Sequence, residues 1–390
     1  MTDDLAMDRP TDALHRLRRV HEDTVLAALR TEGPLSRGRL TERTGLSRTT
    51  LFAIIADLIE RGVVAEVLPE DDLPRGRGRP AGRITLAPGS GMLIGLDLGR
   101  RRIRLAVANV AHEIVATAVD DLPADADEDE QLDCAIALIH KVCEERGISL
   151  RALEAIGVGL VGFVDGPARR ERAAGRLGAE FGARVEADNN ARLAALAEKT
   201  WGAARSVDDV VYVRWSVGVG GGFIAGGRLL RGAHGTAGEL GHVSIDPGGE
   251  PCHCGSRGCL EGLIGSPALL TALAADGVIL DGLDALIEAA RDREPAVTRR
   301  VSEAGALLGR ALAGTIVQLD PRRVVVGGEF ASLGGLVLDP IRAAVAGLAL
   351  PGTPRSLDLV PADLGATASA LGAIALVLNE DPAIPRHLRP

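Results

Sequence analysis

The sequence predicts two folding units in series: a small helical head closed by a basic hairpin, then a large α/β body. Three observations carry this reading. Short amphipathic helices separated by Gly turns fill residues 18–62. Two strand-like runs, VVAEV at 63–67 and RITL at 83–86, flank an Arg/Gly-rich segment. After Pro88-Gly89 the chain turns Gly-rich, and strands alternate with helices.

Composition sets the outer bounds. With 390 residues, 46% hydrophobic and 25% charged, the chain can build two or three ordinary cores. Aromatics are only 2%, so aliphatic side chains must fill them. The N-terminus, MTDDLAMDRP, is acidic without an apolar stretch, and no run of eighteen apolar residues occurs. Neither a signal peptide nor a membrane span is expected, and the cytoplasm is the expected compartment. Five Cys in a long chain argue against a disulfide framework and for metal binding or inert burial. The net charge of −9 speaks against nucleic acid only until it is mapped. Residues 1–90 hold 14 Arg and 14 acidic residues, so the whole deficit lies beyond them. Arg75, Arg77, Arg79 and Arg83 form an acid-free stretch, and Arg37, Arg39, Arg43 and Arg48 another broken only by Glu42. Local basic patches matter more for phosphate contact than global charge.

In the head, Val25, Leu26 and Leu29 recur at helical spacing over 18–30, and Gly33-Pro34 stops that helix. Ser36 caps a second helix, RGRLTERT; Gly45 makes a turn; Ser47 caps a third helix that ends at Gly62. Leu51, Ile54, Ile55 and Leu58 form its buried stripe. Two helices joined through a Gly turn are the helix-turn-helix pattern. The opposite face carries Arg48, Thr49, Phe52, Ala53 and Ala56, and its N-terminal end suits a major groove. Arg37, Ser47, Arg48, Thr49 and Thr50 are donors for phosphates and base edges, and Phe52 can pack on a thymine methyl. Any three-helix unit with a Gly turn has this spacing, so the hairpin matters. Its tip bears Arg75, Arg77 and Arg79 among Gly and Pro, which suits a wing reaching a narrow minor groove; a flexible basic linker is the alternative. The head is thus a winged helix-turn-helix over 18–88 behind a disordered tail, 1–17.

In the body, strands are expected at 93–99, 102–110 and 155–164, and a helix at 131–146; the acidic run 120–130 reads as a solvated loop. The sharpest chemical signal lies at 238–262. His242, Cys252, Cys254 and Cys259 fall within eighteen residues and form a closed tetrahedral set for one structural Zn²⁺ per chain. His253 reads as a bystander that points elsewhere, and Cys134 and Cys143 as buried or inert. A catalytic zinc or free thiols are the competing readings.

GAHGTAGELGH followed by CHCGSRGCLE resembles the ROK family of repressors, open reading frames and sugar kinases. The resemblance covers nearly the whole chain. It implies an α/β actin-like (ribonuclease H-like) two-lobed sugar-kinase fold over 89–390. Lobe 1 would span about 91–205 plus a C-terminal helix, 361–378, and lobe 2 about 206–360. It also implies homodimers or homotetramers. By the same resemblance a sugar would meet Asn189, Asn190, Glu239, His242 and Glu261, with His242 shared between zinc and ligand.

Departures from the family pattern shape the functional expectation. Family kinases end the Asn-containing motif in an Asp that acts as general base; here it reads Asp188-Asn189-Asn190, and an amide cannot accept the proton. The first phosphate loop reads Asp97-Leu98-Gly99-Arg100-Arg101 without its hydroxyl, and the second has Val217 in place of Thr. Gly327-Gly328 is followed by Glu329, an acid that disfavours phosphate. Three losses in separate parts of a phosphoryl-transfer apparatus point away from catalysis. No residue is assigned a catalytic role. The expected function is a DNA-binding regulator, a repressor, that binds an operator duplex and a sugar or sugar-derived effector. A ligand-free oligomeric regulator and an active ATP-dependent sugar kinase are the alternatives. The G-x-P-G turn reads Gly159-Leu160-Val161-Gly162, and the loop after Val164-Asp165 is short, so the cleft should be more open than in the kinases.

Overall fold

The computed structural model describes residues 21–60 except 23, 27, 30 and 31, then 63–67, 82–87, 91–109, 113–123, 126–150, 153–162, 166–348 and 357–379. The expected tail 1–17 and the hairpin tip with Arg75, Arg77 and Arg79 lie outside these residues.

In the head, the described residues between 21 and 32 are helical. Then come β1 (Leu35–Ser36), α1 (Arg37–Thr44), α2 (Arg48–Glu60), β2 (Val64–Val67) and β3 (Arg83–Leu86). The Ser36 side chain accepts from Arg39 N and starts α1, while Gly45, left-handed, ends it. The expected stripe of α2 is buried and packs with Val25, Leu29, Leu40 and Ile84. The three strands form an antiparallel sheet in the order β1-β3-β2. The two-residue β1 has no signal in the sequence; it is too short to show a period.

The body holds two five-stranded sheets. One contains β4 (Met92–Leu98), β5 (Arg102–Asn109), β6 (Ile114–Asp121), β7 (Leu153–Leu160) and β8 (Arg184–Asn189) in the order β6-β5-β4-β7-β8. The other contains β9 (Val210–Trp215), β10 (Val219–Ala225), β11 (Arg228–Leu230), β12 (Arg323–Gly327) and β13 (Asp358–Pro361) in the order β11-β10-β9-β12-β13. Each is an antiparallel meander whose first strand continues into a parallel pair. Strand order is the same in both, so the body is a structural duplication. Strands β4 and β7 are almost wholly buried, as strands covered on both faces must be.

Helices α3 (Glu128–Arg146) and α4 (Gly166–Phe181) belong to the first sheet's unit, and its apolar core runs from Ile94 and Leu105 to Leu138 and Ile139. Cys143 is buried and Cys134 half-buried against that core. The second unit adds α6 (Leu260–Ile264), α7 (Ser266–Ala275), α8 (Gly282–Arg291), α9 (Pro295–Leu319) and α10 (Gly335–Leu348). Helices α5 (Asn190–Thr200) and α11 (Ala368–Asn379) pack on each other; α5 also meets β10, and α11 meets β4 and β7. They form the layer between the two sheets.

Three expectations are corrected. The acidic run 120–130 is not one loop: Asp120 and Asp121 end β6, and Glu128 to Glu130 open α3. Asp127 and Glu130 make a reciprocal capping box there, and acids favour the positive end of the helix dipole. The C-terminal helix begins at Ala368, whereas Pro361 ends β13 in the second sheet. The short loop expected after Val164-Asp165, DGPARRERAAGRLGAEFG, is helical over Gly166–Phe181 as α4. No helix among the described residues is long and apolar enough to cross a membrane.

Candidate functional site

A cleft of about 670 Å³ opens between the two sheets' units, and Asn189, Asn190, Glu239, His242 and Glu261 all line it. The structure therefore brings together the five residues expected at a ligand site. Their side chains are not equally free. Asn189 caps α5: its Oδ1 accepts from Ala191 N at 2.8 Å and Arg192 N at 3.2 Å, and its Nδ2 donates to the Gly162 carbonyl at 3.2 Å. One N–H remains to it. Asn190 donates from Nδ2 to the buried Asp97 at 3.1 Å, and Arg104 lies 3.5 Å from the same carboxylate. The Glu261 Oε2 accepts from Val219 N at 2.9 Å. The Glu239 carboxylate makes no hydrogen bond or ion pair among the described residues, although its backbone bonds to Thr236 and His242. Burial raises its carboxyl pKa, with Glu261 adding to the rise and Arg192 opposing it.

A buried strap that the sequence reading did not anticipate holds Glu239 in place. Arg192, 1% exposed, donates from Nε to Asp188 Oδ1 at 2.8 Å, and from NH1 to the carbonyls of Gly235 at 2.6 Å and Ala237 at 3.2 Å. Its NH2 sits 2.7 Å from the same Asp188 oxygen, off the hydrogen-bond axis, and acts there as a charge. Arg231 takes the other Asp188 oxygen at 2.8 Å. The segment 231–237 is thereby tied to the N-terminus of α5. A signal existed: a lone Arg within the apolar run of α5 needs a carboxylate partner.

The four expected metal ligands converge. Cys252 Sγ lies 3.6 Å from His242 Nδ1, and Cys254 Sγ lies 3.6 Å from Cys259 Sγ. All four ligand atoms fall within 4.8 Å of one another. A tetrahedron with Zn–S of about 2.3 Å and Zn–N of about 2.0–2.1 Å has edges of roughly 3.6–3.8 Å. Three thiols and one imidazole at these separations fit zinc. Gly258 (φ +57°) has its Cα face pressed on the Asp246 carbonyl, so the knot closes only without a side chain there. Burial pushes the His242 pKa down, which keeps the ring neutral as a ligand must be. With Nδ1 toward the thiols, Nε2 is left for other partners. His253 is outside this set but does not point away: it lines the cleft, and its ring meets that of His242 edge-on at 5.0 Å.

In the head, Arg48, Thr49, Phe52, Ala53 and Ala56 are exposed on one face of α2. Arg48 has no partner among the described residues. Ser47 Oγ accepts from Thr50 N at 3.1 Å and lies 2.8 Å from Thr50 Oγ1, so these hydroxyls are partly spent on the helix cap. Arg37 is committed within the protein. Its NH2 donates to Glu66 Oε2 at 2.9 Å, and its guanidinium lies 5.4 Å from the centre of the Phe52 ring.

Comparison with known proteins separates two groups of relatives. The chain is 26% identical over 378 residues to the xylose repressor of Bacillus subtilis, covering 93% of this chain and 96% of that protein. It is 30% identical over 368 residues to the DNA-binding transcriptional dual regulator NagC of Escherichia coli, covering 88% and 89%. Among solved structures, a ROK family transcriptional regulator described as a homolog of the E. coli MLC protein superposes with a TM-score of 0.74 at 25% identity, over 92% of this chain and 95% of its own. A ROK family glucokinase from Streptomyces griseus, solved with glucose and AMPPNP, gives 0.64 at 31% identity; it is matched over 99% of its length but covers only 73% of this chain. The regulators thus span head and body, and the glucokinase leaves about a quarter of the chain unmatched. The ROK family pattern itself matches residues 93–380, and the chain belongs to the ROK family.

Proposed function

We propose that this protein is a sugar-responsive DNA-binding repressor: a winged helix-turn-helix over 18–88, a zinc-stabilised sensor over 89–390, and no kinase activity. The observation that carries the reading is the reach of the similarity, since relatives named as repressors or transcriptional regulators align across head and body alike.

In this reading the N-terminal end of α2 enters the major groove through Arg48, Thr49 and Phe52, supported by Ser47 and Thr50. In the same reading Arg37, bonded to Glu66, clamps α1 to β2 and orients this face. Arg75, Arg77 and Arg79 supply the wing's basic charge. In the body, Asn189, Asn190, Glu239, His242 and Glu261 hold the effector. Asn189 and Asn190 come from the first sheet's side and Glu239 and Glu261 from the second's, so a ligand gripping both favours the closed arrangement of the lobes. Differential affinity for open and closed forms is what moves the equilibrium. Coupling to the head of a homo-oligomer would be worth roughly 1–3 kcal/mol, or a 5–150-fold change in operator affinity.

Zinc, held by His242, Cys252, Cys254 and Cys259, would lock the loops bearing Glu239 and Glu261 and fix the His242 ring. Asn190, bonded to Asp97, offers no proton acceptor for a sugar hydroxyl, which supports the absence of phosphoryl transfer. One observation favours a ligand-free regulator instead: Asn189 spends three of its four hydrogen-bonding positions on the backbone. The uncommitted Glu239 favours a ligand.

Fluorescence anisotropy with labelled duplexes from the promoter of the protein's own gene tests the proposal. Salt-sensitive, sequence-selective binding is expected, weakened about tenfold or more by Arg48→Ala. Binding that is indifferent to sequence would end it. ADP release from ATP in the presence of hexoses would overturn the non-enzymatic part.

A further inference from the structure

Beyond the sugar-facing cleft lies a second chamber of about 690 Å³, and Arg214, Asp284 and Glu329 line both. The two spaces meet at these residues. The second chamber has an unusual polar lining. Glu329 Oε2 is buried without a hydrogen-bond partner, and so is Ser369 Oγ at the start of α11. The Arg214 side chain, near the end of β9, makes no hydrogen bond and no ion pair within 4 Å among the described residues, and feels the Asp97 and Glu329 carboxylates only at longer range. These groups are rigidly placed. Phe330 stacks on Trp215 at 4.5 Å, which fixes the Glu329 turn beside β9.

The lining discriminates between ligand classes. An anion, including a nucleotide's phosphates, would face the Glu329 and Asp284 carboxylates. A cation would face Arg214 and Arg291, which also lines the chamber. An apolar group would leave a bare carboxylate oxygen, a hydroxyl and a guanidinium unsatisfied. A neutral polyol satisfies all three, because vicinal hydroxyls accept from a guanidinium and donate to a carboxylate at once. Ligand sites run to roughly 300–1,000 Å³, so each chamber has room for a unit of its own.

We propose that the effector is a neutral disaccharide or longer glycoside, with one ring between Asn189, Glu239 and Glu261 and the next between Arg214, Glu329 and Ser369. This rests on the sugar-responsive reading and specifies its ligand. Calorimetric titration of the full chain with matched pairs tests it: xylose and xylobiose, glucose with maltose and cellobiose, N-acetylglucosamine and chitobiose. At least one disaccharide should bind about tenfold or more tightly than its own monosaccharide. In Glu329→Leu and Ser369→Ala that ratio should collapse toward one. Because the Ser369 hydroxyl makes no hydrogen bond, Ser369→Ala should leave the ligand-free melting temperature unchanged or higher, which separates loss of the subsite from misfolding. Equal affinity for monosaccharide and disaccharide, an unchanged ratio in both variants, or displacement of sugar by ADP would each overturn the inference while leaving sugar sensing intact. Failure of every sugar of either size to bind would instead remove the sugar-responsive reading itself.

Discussion

Replacing Asp188 by Asn should be among the most damaging isosteric changes in the body. Asp188 is 1% exposed, and its two oxygens face two guanidiniums, those of Arg192 and Arg231. Neutralising it strands Arg192, itself 1% exposed. Removing one partner of a buried pair costs about 3–5 kcal/mol. Arg192 keeps its bonds to the Gly235 and Ala237 carbonyls, and Arg231 can turn to solvent, so the lower end applies, about 3 kcal/mol. At roughly 2–4 °C per kcal/mol for a unit of this size, the melting temperature should fall by about 6–12 °C. Scanning calorimetry at neutral pH reads it directly. The pH dependence gives a second check. Burial alone would raise the Asp188 carboxyl, but Arg192, Arg231 and the Asn189 amide together bring it below the ordinary range. A carboxyl depressed in the folded state contributes stability above its unfolded pKa of about 3.9, and that stability is lost as pH falls through the lower folded value. The gap between wild type and Asp188→Asn should therefore be constant near neutrality and narrow only below about pH 4. A fall of less than about 2 °C at neutral pH, or a gap that widens in acid, would refute the strap.

Further outcomes are expected elsewhere. Cys259→Ser should drop bound zinc from one per chain to well below half by elemental analysis, and weaken sugar binding along with it; full zinc content in the variant would remove the metal assignment. Gly222→Ala should destabilise the body by about 1–3 kcal/mol in urea melts, because its Cβ would stand 2.5 Å from that of Ala195 across the β10–α5 contact. Arg37→Ala should lower DNA affinity through loss of the α1–β2 clamp, with a smaller change in salt dependence than Arg48→Ala; equal salt slopes in the two variants would return Arg37 to the phosphate-contacting set.

Much of this was legible because the signals were local. Ser36, Gly45 and Ser47 mark helix ends through contacts within a few residues, and the four metal ligands lie in one short segment. The expected cleft residues also converge, since each sits at an element end that the topology brings to one place. What was not legible depends on pairings distant in sequence. The Asp188–Arg231 bond spans 43 residues and the Arg37–Glu66 bond 29. Neither partner's local surroundings name the other. The acidic run was misread for a related reason: composition suggests solvation, while the capping geometry of Asp127 and Glu130 places its second half on a helix. His253 shows the limit of spacing arguments. Alternation predicts the direction of a side chain in a regular strand, but the segment around it is irregular, and its β-pairing among the described residues consists of isolated bridges at Pro251–Arg257 and Ser244–Cys259.

The choice between a sensing body and one that only oligomerises turns on the unsatisfied groups. A buried polar atom without a partner costs roughly 1–3 kcal/mol, and whole domains are stable by only about 5–15 kcal/mol. A body kept solely for assembly would be more stable with apolar residues at 329 and 369, because they would extend the apolar packing of Ala194, Tyr212 and Ile287, which line the same chamber. Glu329 and Ser369 instead leave an acceptor and a hydroxyl open beside an Arg214 guanidinium that makes no side-chain hydrogen bond among the described residues. Glu239, at the other end of the same continuous space, is likewise uncommitted. Stability alone does not account for polar groups held open at both ends of one cleft, whereas a ligand that bonds to all of them does. The near-saturation of Asn189 fits the same picture: its amide builds the floor by capping α5 and keeps one N–H, and most of the recognition falls to the side chains that the fold leaves unpaired.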